Sequence, residues 1–389
     1  MKYLTAGESH GKGLIGILEG IPAGLEISEE IISLQLSRRQ MGYGRGDRMK
    51  IENDYAEIWS GVRFGKTLGS PIAMLVRNKD YDNWQNAMSI ESSTESSKKV
   101  TLPRPGHADL AGIQKYGFND IRNVIERASA RETAMRVALA TICRELLNEV
   151  GIEIGSRVVQ IHKVKDNSAI PNIALSELND LTDKSPVRCL DTTAEKQMIQ
   201  TIENAKENGD SVGGIFEVIA TGLPYGLGSY SQWYSRLNTQ IAESIMSIPA
   251  IKGVEIGLGF ESAERFGSEF HDEITLAKEH DHKEYIQNFS RLTNNAGGIE
   301  GGMSNAKPIV VRAIMKPIPT LTKPLQSVDI KSKEIKSAHK ERTDSCAVPA
   351  ASIVGESMLC FVLADALLDK FGGDSMEQLK THINKTGKY

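Results

Sequence analysis

The chain has 389 residues, 40% of them hydrophobic and 25% charged, a composition typical of a globular protein with a substantial core. Its net charge of −4 argues against a general nucleic-acid binder, which needs a broad basic surface. No uninterrupted apolar run reaches the roughly 18–20 residues of a membrane span, so we expect no membrane partner. The four cysteines are widely spaced, and we expect reduced cytoplasmic thiols without a disulfide framework.

The first 50 residues predict two strands, a helix and a cationic loop. "YLTAGESHGKGLIGILEGIP" predicts strand, polar turn and strand. "SEEIISLQLSRRQMG" predicts a helix, because Ser28 suits the N-cap and Gly42 suits the end. The helix leads into a glycine-rich bend, and the segment from 37 to 50 concentrates positive charge at Arg38, Arg39, Arg45, Arg48 and Lys50.

The middle of the chain predicts strands, a loop and a long helical region. Residues 51–78 predict strands, residues 89–99 a Ser-rich surface loop or mobile flap, and "LPRPGHADLAG" an extended stretch. The helical region runs from Asp120 to Gly151. Within it, Ser129-Ala130-Arg131-Glu132 fits a capping box, so we expect a helix to restart there.

The last part of the chain predicts mixed strands and helices. We expect helices near 194–207, over "LNTQIAESIMSIPA" up to Pro249, and over "ESMLCFVLADALLDKF" up to Gly372. Glycine-rich strands and loops fill 252–303, and "KPIPTLTKP" is extended.

Two motifs suggest functions that their details do not support. "GVRFGKT" places three residues between Gly61 and Gly65, where a phosphate-binding loop needs four, so a β-turn is the better interpretation. A phosphoryl-transfer enzyme is therefore not favoured. His280 and His282 flank one aspartate without a further ligand set, which favours a solvated turn and no metal site.

Three residues are candidates for proton transfer. His10 in "GESHG" and His107 in "RPGHAD" each sit in a glycine-punctuated turn, which suits either a surface histidine or an acid–base group. The occurrence of two such histidines favours acid–base chemistry. Asp344 in "ERTDSCAVPA" follows Arg342 closely, so it is either an ion-pair partner or a proton relay.

The predicted helix restart at Ser129 carries an excess of cations. Arg127, Arg131 and Arg136 cluster there, and cations in a first helical turn oppose the helix dipole by roughly 0.3–1 kcal/mol each. Either they pair with Glu126 and Glu132, or a bound anion compensates them at the helix N-terminus.

Taken together, these segments resemble the chorismate synthase family. "TAGESHG", "RRQMGYGRGDRMKIE", "RPGHADL", "ERASARETAMRVA", "NNAGGIEGGMSN", "MKPIPTL" and "ERTDSCAVPAA" follow the family's order and spacing over essentially the whole chain. The resemblance implies an α+β fold, a β-α-β sandwich in a single large domain over 1–389, and a cytoplasmic homotetramer. Ala128 and Thr343 depart from the residues common in the family.

The resemblance also implies the reaction. A carbon–oxygen lyase of this family removes phosphate and a ring proton from 5-enolpyruvylshikimate 3-phosphate and forms chorismate, the last common step of aromatic amino-acid biosynthesis. Reduced FMN is the cofactor without net redox change, and NADPH serves only indirectly as reductant.

By the same resemblance, the arginines bind anions. Arg39, Arg45, Arg48 and Arg131 are implied to bind the substrate, since arginine forks match carboxylates and phosphates. Arg39 and Arg45 are alternatively implied as NADP contacts, but substrate binding is the physically better interpretation. Arg342 is implied both as a substrate contact and as an FMN contact. The other FMN contacts are Arg127, Ala128, Ser129, Pro249, Ala250, Gly301, Lys316, Pro317, Ile318, Pro319 and Thr320.

The resemblance assigns catalytic roles to the same three proton-transfer candidates. His10 is implied as the acid near the leaving phosphate, and His107 as a proton donor to the reduced flavin near its N1–C2 carbonyl edge. Asp344 is implied to relay the proton taken from the substrate ring at flavin N5.

Overall fold

A computed structural model describes residues 1–46, 53–92, 99–276, 289–341 and 343–386. The N-terminal part forms a four-stranded antiparallel sheet in the order β1-β2-β6-β3. Its strands are β1 (Lys2–Gly7), β2 (Gly13–Glu19), β3 (Ala56–Ile58) and β6 (Ile72–Arg77), and a hairpin of β4 (Val62–Arg63) and β5 (Lys66–Thr67) lies between the last two in sequence.

A second antiparallel sheet has five strands in the order β11-β16-β9-β7-β8. They are β7 (Glu153–Ile161), β8 (Val164–Lys165), β9 (Gly214–Thr221), β11 (Ile251–Ile256) and β16 (Ile309–Met315). The smaller sheets comprise β10 (Tyr225–Gly228) with β15 (Met303–Asn305) and β14 (Ile299–Glu300), β12 (Ile274–Leu276) with β13 (Phe289–Arg291), and β17 (Gln326–Val328) with β18 (Ile335–Ser337).

The α-helices fall between and around these sheets. They are α1 (Glu29–Gln40), α2 (Asp109–Tyr116), α3 (Arg122–Ala128), α4 (Thr133–Asn148), α5 (Leu175–Lys184), α6 (Thr192–Glu207), α7 (Leu237–Met246), α8 (Gly267–Phe270), α9 (Val348–Phe371) and α10 (Met376–Thr386).

Helices α1, α4 and α9 form a layer between the two main sheets. Helix α4 packs on β2 and β6, α9 packs on β7 and β9, and the three helices pack on one another. Two glycines allow the close approach, because a Cβ at Gly16 would lie 2.6 Å from Met135 and one at Gly355 would lie 2.5 Å from Phe216. The predicted α+β fold and β-α-β sandwich are confirmed.

Helix α9 is the central helix of the core. It is apolar on all sides, as expected for a helix surrounded by protein. By length and composition it is also long enough to cross a membrane, a property that the sequence analysis missed, but 89% of its most apolar window is buried inside this fold. Its burial is explained by packing against both α4 and the five-stranded sheet.

A buried carboxylate on α9 joins the central helices. The Glu356 carboxylate lies 2.9 Å from Arg38 on α1, accepts a 2.6 Å hydrogen bond from Arg144 on α4, and lies 3.3 Å from Arg188. Ser156 Oγ on β7 donates to it at 2.5 Å. Burial alone would raise the pKa of Glu356, but the three arginines hold it at about 2.

Several local predictions are confirmed. The first helix begins after Ser28, whose Oγ accepts from the Ile31 amide at 3.4 Å, and ends just before Gly42. The helix near 194–207 is α6, and α9 ends before Gly372. "GVRFGKT" forms the β4–β5 hairpin, as its glycine spacing indicates.

Other local predictions are wrong. The stretch "LPRPGHADLAG" is not extended throughout, because α2 begins at Asp109. The last long helix starts at Val348, eight residues earlier than predicted, since a proline such as Pro349 is tolerated in a first helical turn. The helix restart at Ser129 is confirmed, since α3 ends at Ala128 and Ser129 Oγ caps a 3₁₀ turn that leads into α4 at Thr133. The capping box predicted there is wrong, because Glu132 binds Arg136 instead of closing it.

Some sequence predictions lie outside the described residues. They are those on Arg48 and Lys50, on the centre of the Ser-rich loop at 93–98, on His280 and His282, and on Arg342.

Glu356→Gln should lower the free energy of unfolding by about 3–5 kcal/mol at pH 7, because the arginines lose a buried counter-charge. The folded pKa of Glu356 lies below the usual glutamate value, so its contribution is present above about pH 4.5 and is lost as the pH falls towards 2. Urea unfolding at a series of pH values should show a shallower acid decline in the variant.

The matched control is Glu149→Gln, which breaks an exposed pair with Lys380 and should cost less than about 1 kcal/mol. Equal losses in the two variants would contradict a central role for Glu356.

Candidate active site

A cavity of about 470 Å³ opens where loops from both halves of the sandwich meet. The turn after β1, the end of α1, the α3–α4 junction and the start of α9 all contribute to its lining. The predicted site residues that line it are His10, Arg39, Arg45, His107, Ala128, Ser129, Arg131, Pro249, Ala250, Lys316, Ile318, Pro319, Thr320 and Asp344.

Three predicted site residues lie outside this lining. Arg127 is exposed and donates to the carbonyl oxygens of Thr5 at 2.9 Å and Gly7 at 3.3 Å. Gly301 lies in the exposed turn between β14 and β15, and Pro317 is exposed. Arg127 and Pro317 are thus next in sequence to lining residues, Ala128 and Lys316, without lining the cavity themselves.

The arginines of the cavity are buried and share one carboxylate. Arg131 Nη1 donates to Asp54 Oδ1 at 2.5 Å, and Arg39 Nη1 lies 3.7 Å from Asp54 Oδ2. Arg39 is held by Thr133 Oγ1 and by the Ala130 carbonyl oxygen, each at 3.0 Å. These contacts fix the guanidinium groups of Arg39 and Arg131 at one wall of the cavity.

Arg39 is incompletely neutralised. Its Nη1 atom is buried and forms no hydrogen bond with any residue that the structure describes. Burial lowers the pKa of Arg39 to about 10, an effect that Asp54 opposes and the positive charges of Arg45 and Arg131 reinforce. Neighbouring buried cations of this kind favour a bound anion.

His10 is held by a carboxylate and an aromatic ring. Its Nδ1 lies 3.0 Å from Glu126 Oε1, and its backbone amide donates to Glu126 Oε2 at 2.7 Å. The ring stacks on Trp84 with the centroids 4.0 Å apart. Burial would raise the pKa of Glu126, but hydrogen bonds from His10 and the charge of Arg122 bring it below its usual value.

His107 has an equivalent partner in Asp109, at the start of α2. Its Nδ1 lies 2.5 Å from Asp109 Oδ1, and Arg104 Nε donates to Asp109 Oδ2 at 2.9 Å. Burial would raise the pKa of Asp109, but His107 and Arg104 hold it well below its usual range. Arg104 also donates to Thr320 Oγ1 at 2.9 Å, which connects this pair to the 316–320 segment.

Asp344 binds the glycine-rich bend after α1. Its Oδ2 lies 3.2 Å from Arg45 Nη1, and its Oδ1 accepts from the Gly46 amide at 2.6 Å. Sequence proximity suggested Arg342 as its ion-pair partner, but the described partner of Asp344 is Arg45. Its side chain is 24% exposed, so the carboxylate remains accessible from the cavity.

The remaining wall is largely apolar. Lys316 Nζ donates to the Gly106 carbonyl oxygen at 2.5 Å and adds one cation to this side. The apolar lining residues are Ile125, Ile248, Met315, Ala350, Ala351 and Val354. An apolar surface with cations at its edge suits a flat aromatic group that carries a phosphate.

Sequence analysis missed the carboxylates that organise the site. Asp54 meets Arg39 and Arg131, and Glu126 meets His10, only through the fold. Of the carboxylate pairings considered for the cations near Ser129, that of Glu132 is confirmed with Arg136, whereas the described partners of Glu126 are His10 and Arg122. Among these carboxylates, Asp109 was the one that the sequence could indicate as a partner, because it lies two residues after His107.

The geometry is that of a site suited to a small polyanion. Its buried arginines have the chemistry to bind anions, its two histidine–carboxylate pairs have the chemistry to transfer protons, and the cavity volume lies within the usual range of about 300–1,000 Å³ for ligand pockets.

Comparison with known proteins identifies the family. The sequence profile described as chorismate synthase matches residues 1–368. Chorismate synthase from Listeria welshimeri is 53% identical over 388 residues, which cover 99% of this chain and 98% of the relative. The Geobacillus sp. (strain WCH70) enzyme is 53% identical over 392 residues, covering 100% and 99%. A crystal structure of a chorismate synthase matches with a TM-score of 0.78 and 45% identity, over 99% of this chain and 97% of that one.

The chain therefore belongs to the chorismate synthase family. It is a carbon–oxygen lyase that acts on a small-molecule substrate in aromatic amino-acid biosynthesis.

Asp54→Asn should lower the free energy of unfolding by about 3–5 kcal/mol, because Arg39 and Arg131 lose their shared buried counter-charge. Inorganic phosphate should recover part of this loss, and should stabilise the variant more than the unmodified chain. Urea unfolding with and without phosphate, at an ionic strength held constant with NaCl, measures both effects.

Asp191→Asn is the control, since Asp191 caps α6 through the Thr193 and Ala194 amides. The free energy of unfolding that this variant loses should not be recovered by phosphate. An equal phosphate effect in both variants would refute an anion site at Arg39 and Arg131.

Proposed function

We propose that the chain catalyses the anti-1,4-elimination of phosphate and a ring proton from 5-enolpyruvylshikimate 3-phosphate, giving chorismate in the last common step of aromatic amino-acid biosynthesis. The observation that carries the proposal is the convergence of Arg39, Arg45 and Arg131 with two carboxylate-bound histidines in one cavity. The substrate carries two carboxylates and a phosphate, which match this arrangement of guanidinium groups.

Substrate binding is the role of the arginine wall. Arg39 and Arg131 are oriented by Asp54, Thr133 and the Ala130 carbonyl, so little rearrangement is needed when an anion enters. Arg45 comes from the glycine-rich bend and exchanges Asp344 for substrate charge. We assign Arg48 and Arg342 to the same anion-binding group from the family resemblance, and we favour substrate over NADP as the ligand of Arg39 and Arg45.

The apolar side of the cavity fits reduced FMN. Ala128, Ser129, Pro249, Ala250, Lys316, Ile318, Pro319 and Thr320 contribute to the lining there, and Lys316 supplies a cation for the cofactor phosphate. When bound, reduced FMN supplies an electron transiently to assist cleavage of the C–O bond, without net redox change. NADPH serves only indirectly, as the source of reducing power.

The proton-transfer groups belong to the chain itself. His10 donates a proton to the departing phosphate, and the arginines neutralise the charge that develops on its oxygens. His107 holds a proton at the cofactor edge of the cavity. Asp344 moves the ring proton away from the substrate, and its contacts with Arg45 and Gly46 keep its carboxylate oriented.

We further propose that the domain over 1–389 acts as a cytoplasmic homotetramer. Support comes from the outer face of the four-stranded sheet, where Leu4, Ile15 and Ile17 are 74%, 51% and 44% exposed. Contiguous exposed apolar side chains on a sheet face suit burial against another subunit.

The test of the reaction is an anaerobic assay with substrate and dithionite-reduced FMN. Phosphate and chorismate should form in equal amounts, while FMN remains reduced. Release of phosphate without chorismate, or no release, would exclude the proposed elimination. A parallel assay with NADPH in place of dithionite determines whether an external reductant is required.

His10→Ala should lower turnover by roughly 10²–10⁴, the range usual for loss of a general acid. FMN affinity should change little, because the predicted FMN contacts remain in place. Single-turnover kinetics and flavin fluorescence titration measure the two quantities. His271→Ala, at an exposed histidine outside the cavity lining, is the control. Unchanged turnover in His10→Ala would remove His10 from the mechanism.

Asp344→Asn keeps the size of the side chain but removes its basicity. Substrate and FMN should still bind, and product formation should fall by roughly 10²-fold or more. Asp374→Asn, at an exposed aspartate outside the cavity lining, should retain full activity. If Asp344→Asn keeps half of the activity or more, Asp344 acts only as the ion-pair partner of Arg45.

A further inference from the structure

The two cavity histidines, His10 and His107, each contact a buried carboxylate through Nδ1. His10 Nδ1 lies 3.0 Å from Glu126, and His107 Nδ1 lies 2.5 Å from Asp109. Each carboxylate also accepts a backbone amide hydrogen bond, from His10 itself at 2.7 Å and from Arg104 at 2.9 Å. Both carboxylates are buried, Glu126 with 3% and Asp109 with 0% of its surface exposed.

This arrangement fixes which ring nitrogen carries hydrogen. An ionised carboxylate only accepts hydrogen bonds, so the imidazole nitrogen that donates to it must be protonated. At His107 two groups compete for Nδ1, because Arg104 Nη2, which can only donate, also lies 3.1 Å from it. The contact with Asp109 is the shorter, at 2.5 Å, and we take it as the one that decides that Nδ1 carries hydrogen. Each buried carboxylate also binds an arginine, Glu126 at 3.2 Å from Arg122 and Asp109 at 2.9 Å from Arg104, which keeps it ionised. In water the neutral ring prefers hydrogen on Nε2, and the carboxylates therefore impose the opposite tautomer.

We propose that Glu126 and Asp109 are positioning residues that hold His10 and His107 with Nδ1 protonated, so that Nε2 of each ring exchanges a proton with ligands in the cavity. The assignment deepens the proposed function, on which the role of His10 as an acid rests. For His10, proton transfer to the ligand requires no change of tautomer. The Nε2 proton of the imidazolium passes to an oxygen of the departing phosphate, and the neutral ring keeps its Nδ1 hydrogen on Glu126.

Trp84 provides a direct reporter of the His10 charge. Its ring stacks on His10 at 4.0 Å, and the Arg122 guanidinium lies 5.0 Å from its centroid. A stacked imidazolium quenches indole emission more than a neutral imidazole does. The chain has three tryptophans, and the other two, Trp59 and Trp233, are 66% and 72% exposed. The variant Trp59→Phe/Trp233→Phe therefore leaves Trp84 as the single indole at little cost in stability.

The surroundings of His10 identify the controls. The charged residues connected to His10 through described contacts are Glu126, Arg122, Glu341 and His339, and those that share its cavity lining also include Arg39, Arg45, Arg131, His107 and Asp344. Besides His107, His339 is a further imidazole of these surroundings, and it lies 2.9 Å from Glu341, which in turn lies 2.8 Å from Arg122. His10→Asn should abolish the Trp84 titration, and His339→Asn should preserve it.

Adding Glu126→Gln to the Trp84-only chain should move the midpoint of the emission titration down by about one pH unit or more, because the imidazolium loses its facing negative charge. Arg122→Gln should move the midpoint upwards, because a facing positive charge is removed. A purely structural role for the network would not produce shifts of opposite sign. Unchanged midpoints in both variants would overturn the proposal for His10.

Glu217→Gln is the matched control for loss of a buried carboxylate. Glu217 is 8% exposed and pairs with Arg157 at 3.1 Å on the face of the five-stranded sheet opposite α9. Its removal should leave the Trp84 midpoint in place, even where stability falls. A shift equal to that of Glu126→Gln would show that the titration follows stability, and would also overturn the proposal.

For His107, ring ¹⁵N chemical shifts report the tautomer directly. The full chain should show hydrogen on Nδ1 of the neutral His107 ring, and Asp109→Asn should increase the Nε2-protonated fraction. A neutral ring with hydrogen on Nε2 in the unmodified chain would overturn this half of the proposal. Neither the Trp84 titration nor the ¹⁵N measurement needs substrate. A failure of the proposed reaction would therefore appear only in the activity assay, and a failure of the tautomer proposal only in these two measurements.

Discussion

The salt bridge between Arg38 and Glu356 fixes the rotation of α1, and the cavity depends on that rotation. Arg38 and Arg39 are consecutive, so their side chains diverge by about 100° around the helix axis. With Arg38 bound to the carboxylate of α9, Arg39 is directed to the cavity wall. The same carboxylate binds Arg144 on α4 and Arg188, so one buried anion aligns all three central helices. The buried Glu356 carboxylate thus determines where the Arg39 guanidinium lies at the cavity wall.

The buried arginines at the cavity wall, Arg39 and Arg131, share one carboxylate. Asp54 lies between Arg39 and Arg131, at 2.5 Å from Arg131 Nη1 and 3.7 Å from Arg39 Nη1. Burial lowers the pKa of Arg39 to about 10, an effect that Asp54 opposes and the positive charges of Arg45 and Arg131 reinforce. Because the arginines are already oriented by Thr133, Asn78 and Asp54, the site is preorganised for charge that arrives with the ligand. The carboxylate of Asp54 therefore holds the two guanidinium groups in the orientation that the proposed anionic substrate requires.

The sequence predicts those features whose cause is local. Ser28 caps a helix through an amide three residues away, and His10 is conspicuous between glycines, so both were accessible without a structure. The role of Arg38 could not be predicted from the sequence. Arg38 and Arg39 are both arginines and differ only in the face of the helix on which they lie, and the partner of Arg38, Glu356, is 318 residues away in the chain. Asp54 has no local signature, since nothing near it in sequence indicates which buried cations it will meet. Sequence motifs thus predicted residues that the fold brings to one cavity, whereas tertiary contacts determine the hydrogen bonds and orientation of their side chains.

The arginines that share the histidine carboxylates also decide where a proton can go. Arg104 and His107 hold the pKa of Asp109 well below its usual range, so a proton on His107 does not pass to Asp109. The pKa of Glu126 is likewise held below its usual value by its contacts with His10 and Arg122, although burial alone would raise it. Both carboxylates are therefore held in the ionised form, in which they accept hydrogen bonds from the rings and do not take up the proton. In the proposed elimination, a proton carried by His10 is thus not lost to Glu126, the carboxylate that contacts its ring.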